Sequence, residues 1–316
     1  MKADLVLRAA FIVSMYQQIT ANKRKTTALL IFFSIFAIAL LSLLGFVLGF
    51  DAYQSVFLAT VFSICYATAS FYWSDKITLS LQGAKPIAKQ DNPEIYRLVE
   101  NLSITAGIPT PAIYIITDEA PNAFATGRDP KHASIALTTG LLHMLSKQEV
   151  EGVIAHELSH IKNYDIRLMT IVVVLVGLII LTSDLLLRLN LFRKSNSRDS
   201  EIFFIAALGI AVILGLLSPL IAQVIRLAIS RSREYLADAD GVLLTRYPEG
   251  LASALQKISG YTGQVKRATH ATAHLYIADP FHTNTLAHTP WYKQLFLTHP
   301  PIAQRIEQIR NGSHAT

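Results

Sequence analysis

The amino-acid sequence predicts an α+β fold, mostly helical, in which a soluble part with a few short strands is fused to a multi-span transmembrane helical region. Three observations lead there. Of the 316 residues, 52% are hydrophobic and 16% charged, with a mean hydropathy of +0.38; an ordinary soluble domain carries about a quarter charged residues. The apolar residues are gathered into four long stretches. Between and after these stretches, short alternating runs and helix-start signals follow one another, as in mixed α and β structure.

The elements run as follows. Residues 1–27 carry Lys2, Arg8, Lys23, Arg24 and Lys25 against the single acid Asp4. The positive-inside bias assigns such a flank to the cytoplasm. Residues 28–50 carry no charge over 23 positions and residues 52–73 none over 22, and about 20 residues of helix suffice to cross a bilayer. The first stretch is too long for the roughly 7–15-residue apolar core of a cleaved leader. Gly49, Phe50 and Asp51 form the turn, so residues 28–74 read as a transmembrane hairpin that returns the chain to the cytoplasmic side.

Residues 75–167 form the first soluble part. Residues 77–82 alternate like a strand, 93–105 fit a helix behind Asp91 and Pro93, and 112–116 and 133–137 are short strands. Pro121-Asn122-Ala123-Phe124-Ala125 reads as an edge strand or a loop. Ser146 and Glu149 form a capping box, which starts a helix near residue 147 that nothing interrupts before 163 except a tolerable Gly152. The third and fourth apolar stretches, 168–187 and 202–225, fall in a segment 168–230. They either cross fully or form a shallow pair. The second soluble part, 231–316, holds helix candidates at 231–245, 248–259 and 301–310.

Composition also excludes some classes. Cys65 is the only cysteine, so no disulfide or cysteine-ligated cluster forms within one chain. The net charge of +6 sits in basic residues beside apolar spans, which suits lipid headgroups and not nucleic acid.

The chemistry lies in His156-Glu157-Leu158-Ser159-His160. On a helix, positions i and i+4 lie one above the other, so both imidazoles reach one ion, with the glutamate between them beside it as general base. A helix with incidental polar residues is the ordinary alternative. The capped helix and its apolar neighbours Val153, Ile154, Leu158 and Ile161 argue against it. A catalytic zinc takes two imidazoles and a carboxylate and keeps one position open. Glu234 and Asp238, four apart on a second helix, suit a ligand and a group that orients a ligating imidazole. A solvated helix start is the commoner meaning of such a run. Here His160 precedes Leu168 by eight residues and Glu234 follows Ile225 by nine, so both motifs lie near the membrane surface and on the same side of it. The other histidines read as surface or loop residues, including the i, i+4 pair His270 and His274.

AHELSHIKNYD, then an apolar pair, then SRSREYLAD, then THPP resembles the HtpX-like family of integral-membrane zinc metallopeptidases, relatives of the CAAX prenyl proteases, over about residues 75–311. The resemblance implies a gluzincin-type zincin domain with one Zn2+ per chain on His156, His160 and Glu234, Glu157 as general base, and Asp238 in the outer shell. It also implies that Asn122, Ala123 and Phe124 pair with extended substrate and that His299 and Arg305 contact the substrate or transition state. The polar segment before the first span departs from the family's compact form and leaves residues 1–25 without a role. The expected activity is endoproteolysis of misfolded or damaged membrane proteins at the cytoplasmic face of the cell membrane, with the chain multi-pass and its polypeptide substrates drawn from the bilayer. Processing of prenylated peptides is the alternative enzyme. A non-catalytic zinc-containing scaffold or chaperone is the alternative outside enzymology, and it has no need of Glu157.

Overall fold

A computed structural model of the chain describes residues 2–47, 49–176, 231–269, 272–281 and 300–312. The chain opens with a helical hairpin, α1 (Lys2–Val47) and α2 (Ala52–Leu81). The polar N-terminal residues and the first apolar stretch are thus one continuous helix. Asp51 starts α2 by accepting the Gln54 N–H at 2.9 Å, the usual way a helix satisfies an orphan donor. The face that α2 buries is built from Ser55, Ala59, Ser63, Ser70, Ser74 and Thr78. Small residues at that spacing let two helices approach closely. The Ser63 hydroxyl donates to the Ser34 carbonyl at 3.1 Å across the contact.

The hairpin's other faces expose Ile31, Phe32, Ile35, Phe46, Phe57, Phe62 and Ile64. Soluble monomers rarely present apolar surface on that scale. Ile19–Leu43 and Ala52–Leu81 are the two described helices long and apolar enough to cross a membrane. The third apolar stretch is helical over 165–176, here α6, as far as the described residues reach. The remainder of that stretch and the whole of the fourth lie outside them.

Residues 77–82 do not form the expected strand. The alternation of Ile77, Leu79 and Leu81 is too short to separate two periods, and α2 runs through it, burying Thr78 and Leu79, until Gly83 turns the chain at φ 65. A strand that the pattern missed follows, β1 (Lys85–Pro86). Then come α3 (Pro93–Ala106), β2 (Ala112–Ile116), β3 (Ala123–Gly127), β4 (Ala133–Thr138), a short α4 (Thr139–Met144) and α5 (Lys147–Lys162). After α6 are α7 (Arg231–Thr245), α8 (Pro248–Gly260) and α9 (Ile302–Gly312).

The sheet has the order β1-β2-β4-β3, with β2 and β4 parallel and the outer pairs antiparallel. β3 is therefore an edge strand. Alternation sends Ala123 and Ala125 of β3, with Ile135 and Leu137 of β4, into the core that holds α5. It sends Phe124 and Ala136 to the opposite face, against Met169, Val173 and Tyr276.

At the centre, α5 is buried along most of its length. Val153, Ile154, Leu158 and Ile161 are fully buried, each contributing about 1.5–3 kcal/mol of burial. Two glycines bring the flanking helices in. A Cβ on Gly241 of α7 would stand 3.1 Å from the His156 nitrogen, and one on Gly152 of α5 only 2.7 Å from the Leu251 nitrogen of α8. Gly152 is thus a contact point, and the cost of glycine in a helix is offset by the closeness of α8. Glu149 adds a polar tie, accepting from Ser253 at 2.6 Å and from Lys257 at 2.8 Å.

Candidate metal centre

One helical turn separates His156 from His160, and their rings meet edge to face with centroids 4.7 Å apart. Their Nε2 atoms face each other at 3.1 Å. From α7, Glu234 brings Oε1 to 3.5 Å of His160 Nε2 and Oε2 to 3.9 Å of His156 Nε2. All three residues are buried, and their ligand atoms lie within 4.8 Å of one another. An ion with tetrahedral bonds of about 2.0–2.1 Å sets neighbouring ligand atoms roughly 3.3 Å apart. The observed spacings bracket that value.

Each imidazole is held from behind. His156 Nδ1 lies 2.9 Å from Asp238 Oδ1, and His160 Nδ1 lies 2.9 Å from Asp165 Oδ2. A carboxylate at Nδ1 fixes the proton there and leaves Nε2 bare towards the cluster, as in metal-binding histidines generally. Two ring nitrogens and a carboxylate converging in a buried space call for a positive charge among them, a proton on His160 or a metal ion. The donor set therefore fits a divalent metal.

The two histidines differ electrostatically. Burial dominates at His156 and lowers its pKa to about 4, although Asp238 works the other way. Burial also opposes the charge on His160, but Asp165, Glu234 and Glu157 outweigh it and raise that pKa to about 9. The contrast follows from where the carboxylates are spent. Arg305, fully buried on α9, donates to Asp238 through Nε at 2.8 Å and Nη2 at 2.6 Å. Burial disfavours the Asp238 charge, and Arg305 and His156 more than compensate, holding its carboxyl below the usual range. Arg305 also stands 3.5 Å from Glu234 Oε2.

Glu157 points to the neighbouring side. The residue is 1% exposed. Burial lifts its pKa to about 7 against the pull of His160, with Glu234 adding to the rise and the Ala125 N–H and Arg305 opposing it. That N–H is available because of strand register. Thr138 N–H donates to the Asn122 carbonyl at 3.0 Å, so in the antiparallel ladder Ala123 and Ala125 turn their backbone groups away from β4.

Asn122, Ala123 and Phe124 are all buried, Ala123 on the side of α5 and Phe124 on the opposite face against Tyr276. The segment 276–278 lies along the outer edge of β3. Ile277 N–H donates to the Ala123 carbonyl at 3.0 Å, and Asn122 Nδ2 donates to the Ala278 carbonyl at 3.1 Å. Arg305 Nη1 donates to the Ile277 carbonyl at 2.9 Å. Phe124 meets Tyr276 edge to face at 5.2 Å.

The structure thus brings His156, Glu157, His160, Glu234, Asp238 and Arg305 into one cluster with Asn122–Phe124 alongside. His299 lies outside the described residues, as does His270. His274 is not a surface residue, since it is buried and its Nε2 is 3.0 Å from the Met169 carbonyl. Asp165 had no role in the sequence reading, although it closes the quoted run AHELSHIKNYD. The signal was its place just past the end of α5, where Asn163 and Tyr164 turn the chain and Tyr164 takes φ 59.

An H-E-x-x-H helix whose imidazoles meet a carboxylate from another helix, with its own glutamate hydrogen-bonded under the edge of a sheet, sets the class of protein: a metalloprotease, here joined to two helices long and apolar enough to cross a membrane. Comparison then gives the family. Residues 89–313 match the model of Peptidase family M48, and the chain belongs to that family. It is 45% identical over 298 residues to the "Protease HtpX homolog" of Dictyoglomus turgidum, covering 93% of this chain and 94% of that one. It is 42% identical over 305 residues to the protein of that name from Thermoanaerobacter pseudethanolicus, covering 94% and 98%. The crystal structure of S. mikatae Ste24p aligns with a TM-score of 0.46 at 17% identity, over 94% of this chain and 67% of that one, which is too loose to argue from.

Proposed function

We propose that the chain is a zinc-dependent endopeptidase that cuts misfolded or damaged membrane proteins at the cytoplasmic membrane face. The observation that carries this reading is Glu157: a buried carboxyl lifted to about 7, beside the His156–His160–Glu234 cluster and directly under the β3 edge. A general base serves best when its pKa lies near the working pH.

In this reading His156, His160 and Glu234 hold the metal. Asp238 and Asp165 fix the two imidazoles. When bound, zinc supplies Lewis-acid polarisation of the scissile carbonyl and activation of water. Glu157 accepts the proton of the attacking water and passes it to the leaving amine. The Ala125 N–H orients the Glu157 carboxylate. Arg305, anchored on Asp238, keeps a guanidinium donor for a peptide carbonyl, and Asn122 and the Ala123 carbonyl hold an extended backbone as an added strand would be held. Ile277 and Ala278 occupy those same groups in the resting chain, so an incoming peptide takes their place. Membrane-protein substrates fit a site whose α5 leads into the apolar helix α6 only a few residues on.

The test is metal content and casein cleavage of detergent-purified wild type and Glu157→Gln. Zinc in both with cleavage by wild type alone is the expected result. Cleavage by the variant, with contaminants excluded, overturns the mechanism. Zinc in both, casein intact and a prenylated peptide cut by wild type moves the substrate to the prenyl class, and cleavage of neither favours a scaffold.

A further inference from the structure

We propose that Asn22 is a positioning residue of the metal centre, through which the first membrane helix holds His160 in place. The proposal rests on the zinc-peptidase reading above. Asn22 lies on α1, six residues before the uncharged stretch 28–50, and is 2% exposed. A buried polar side chain at the edge of a membrane helix calls for a partner, and this one has three. Its Nδ2 donates to Asp165 Oδ1 at 2.7 Å and to the Asn163 carbonyl at 3.1 Å, and its Oδ1 accepts from Arg233 Nη1 at 3.2 Å.

Asp165 is the carboxylate behind His160. Its Oδ2 meets His160 Nδ1 at 2.9 Å, while Oδ1 takes the Asn22 amide. Arg233 Nη1 stands farther off from Oδ1, at 3.5 Å. Asn22 therefore fixes the plane of the carboxylate, and through it the tautomer and orientation of the imidazole. Asn163 and Asp165 flank Tyr164, whose positive φ of 59 is uncommon for a side chain of that size. Neighbours must hold such a turn. Asn22 bonds both flanking residues, and Lys23 stands 4.4 Å over the Tyr164 ring. Arg233 immediately precedes the ligand Glu234, so the same asparagine links the turn after α5 to the start of α7.

Asn22 lies outside residues 89–313, the part matched by the family model. The inference gives residues 1–25 the role that the sequence left unassigned. The membrane helix is then a component of the site and more than an anchor.

The experiment measures zinc affinity by chelator competition, together with thermal unfolding of the zinc-free protein, on the full-length chain in detergent. The variants are Asn22→Ala, the isosteric Asn22→Asp, the exposed neighbour Arg24→Ala, and Asp165→Ala alone and combined with Asn22→Ala. Both Asn22 variants should bind zinc about 10- to 100-fold more weakly, a loss larger than any drop in zinc-free melting accounts for, and Arg24→Ala should match wild type. In the Asp165→Ala background, Asn22→Ala should add nothing, because the two act as one unit. If Asn22→Ala does not fold, Asn22→Asp carries the test, since it exchanges the amide donor for a second carboxyl set against Asp165. Wild-type zinc affinity in Asn22→Asp, or a loss that only tracks lower zinc-free stability, overturns the proposal. A wild type that cleaves with zinc bound beside unaffected Asn22 variants overturns this inference alone; a wild type that takes up no zinc overturns the parent reading with it.

Discussion

Arg305 grips Asp238 with a two-point fork, Nε to Oδ2 at 2.8 Å and Nη2 to Oδ1 at 2.6 Å, in a space closed to solvent. A bidentate guanidinium fixes both position and plane, which a lysine ammonium cannot do. The grip carries forward, because Asp238 orients His156. Arg305→Met leaves the buried Asp238 charge with only the His156 N–H and is expected to cost about 3–5 kcal/mol. Arg305→Lys should cost less stability yet still weaken zinc binding, because the charge survives and the fork does not. Melting temperature and zinc affinity of the two variants, measured together, check this. Equal zinc affinity in Arg305→Lys and wild type would show that the fork is not needed.

Acid should weaken the tie between α5 and α8. Burial works against the Glu149 charge, but bonds from Lys257, Ser253 and the Ser146 N–H outweigh it and hold the carboxyl at about 2, below its ordinary 4.5. A depressed folded value means stability that is fully present above about pH 4.5 and lost as pH falls through 2. The size is on the order of 1 kcal/mol, since Lys257 is half exposed and the pair is screened. Melting curves of wild type and Glu149→Gln between pH 6 and 2.5 should converge towards the acid end. Parallel curves would mean the bonds contribute nothing.

Much of this fold is written in local periods. His156, His160, Glu234 and Asp238 were legible because a helix repeats every 3.6 residues, which makes an i, i+4 spacing a statement about one face. β2 and β4 were legible as apolar runs, and the start of α5 from its capping box. β1 is two residues long, too short for any pattern, and the tail of α2 imitated alternation over six. Asp165 stands only five residues from His160, whereas Asn22 and Ile277 were illegible for another reason. Their contacts span 143 residues in one case, from Asn22 to Asp165, and no local window contains both partners.

Cys65 tests the membrane reading of α2. The thiol sits on an exposed face of that helix, beside the exposed Phe62 and Ile64. In vesicles it should resist a charged, water-soluble maleimide and become reactive after denaturation in detergent, since the reactive thiolate forms only in contact with water. Full labelling in intact vesicles would place that face in water and remove α2 from the bilayer.

The segment at the β3 edge gives the last prediction. Ile277 N–H donates to the Ala123 carbonyl, its own carbonyl accepts from Arg305, and the Ala278 carbonyl accepts from Asn122. These are the groups assigned above to extended substrate, so a peptide and the segment compete for them. Covering an edge strand protects it from unwanted pairing, and the same cover slows the wanted one. Ile277→Pro removes the donor to Ala123. One hydrogen bond is worth about 0.5–1.5 kcal/mol net, so kcat/KM on an unfolded substrate should rise about two- to tenfold, with zinc content unchanged. A fall in kcat/KM at full zinc content would mean that residues 276–278 form a wall the substrate leans on and do not stand in its place.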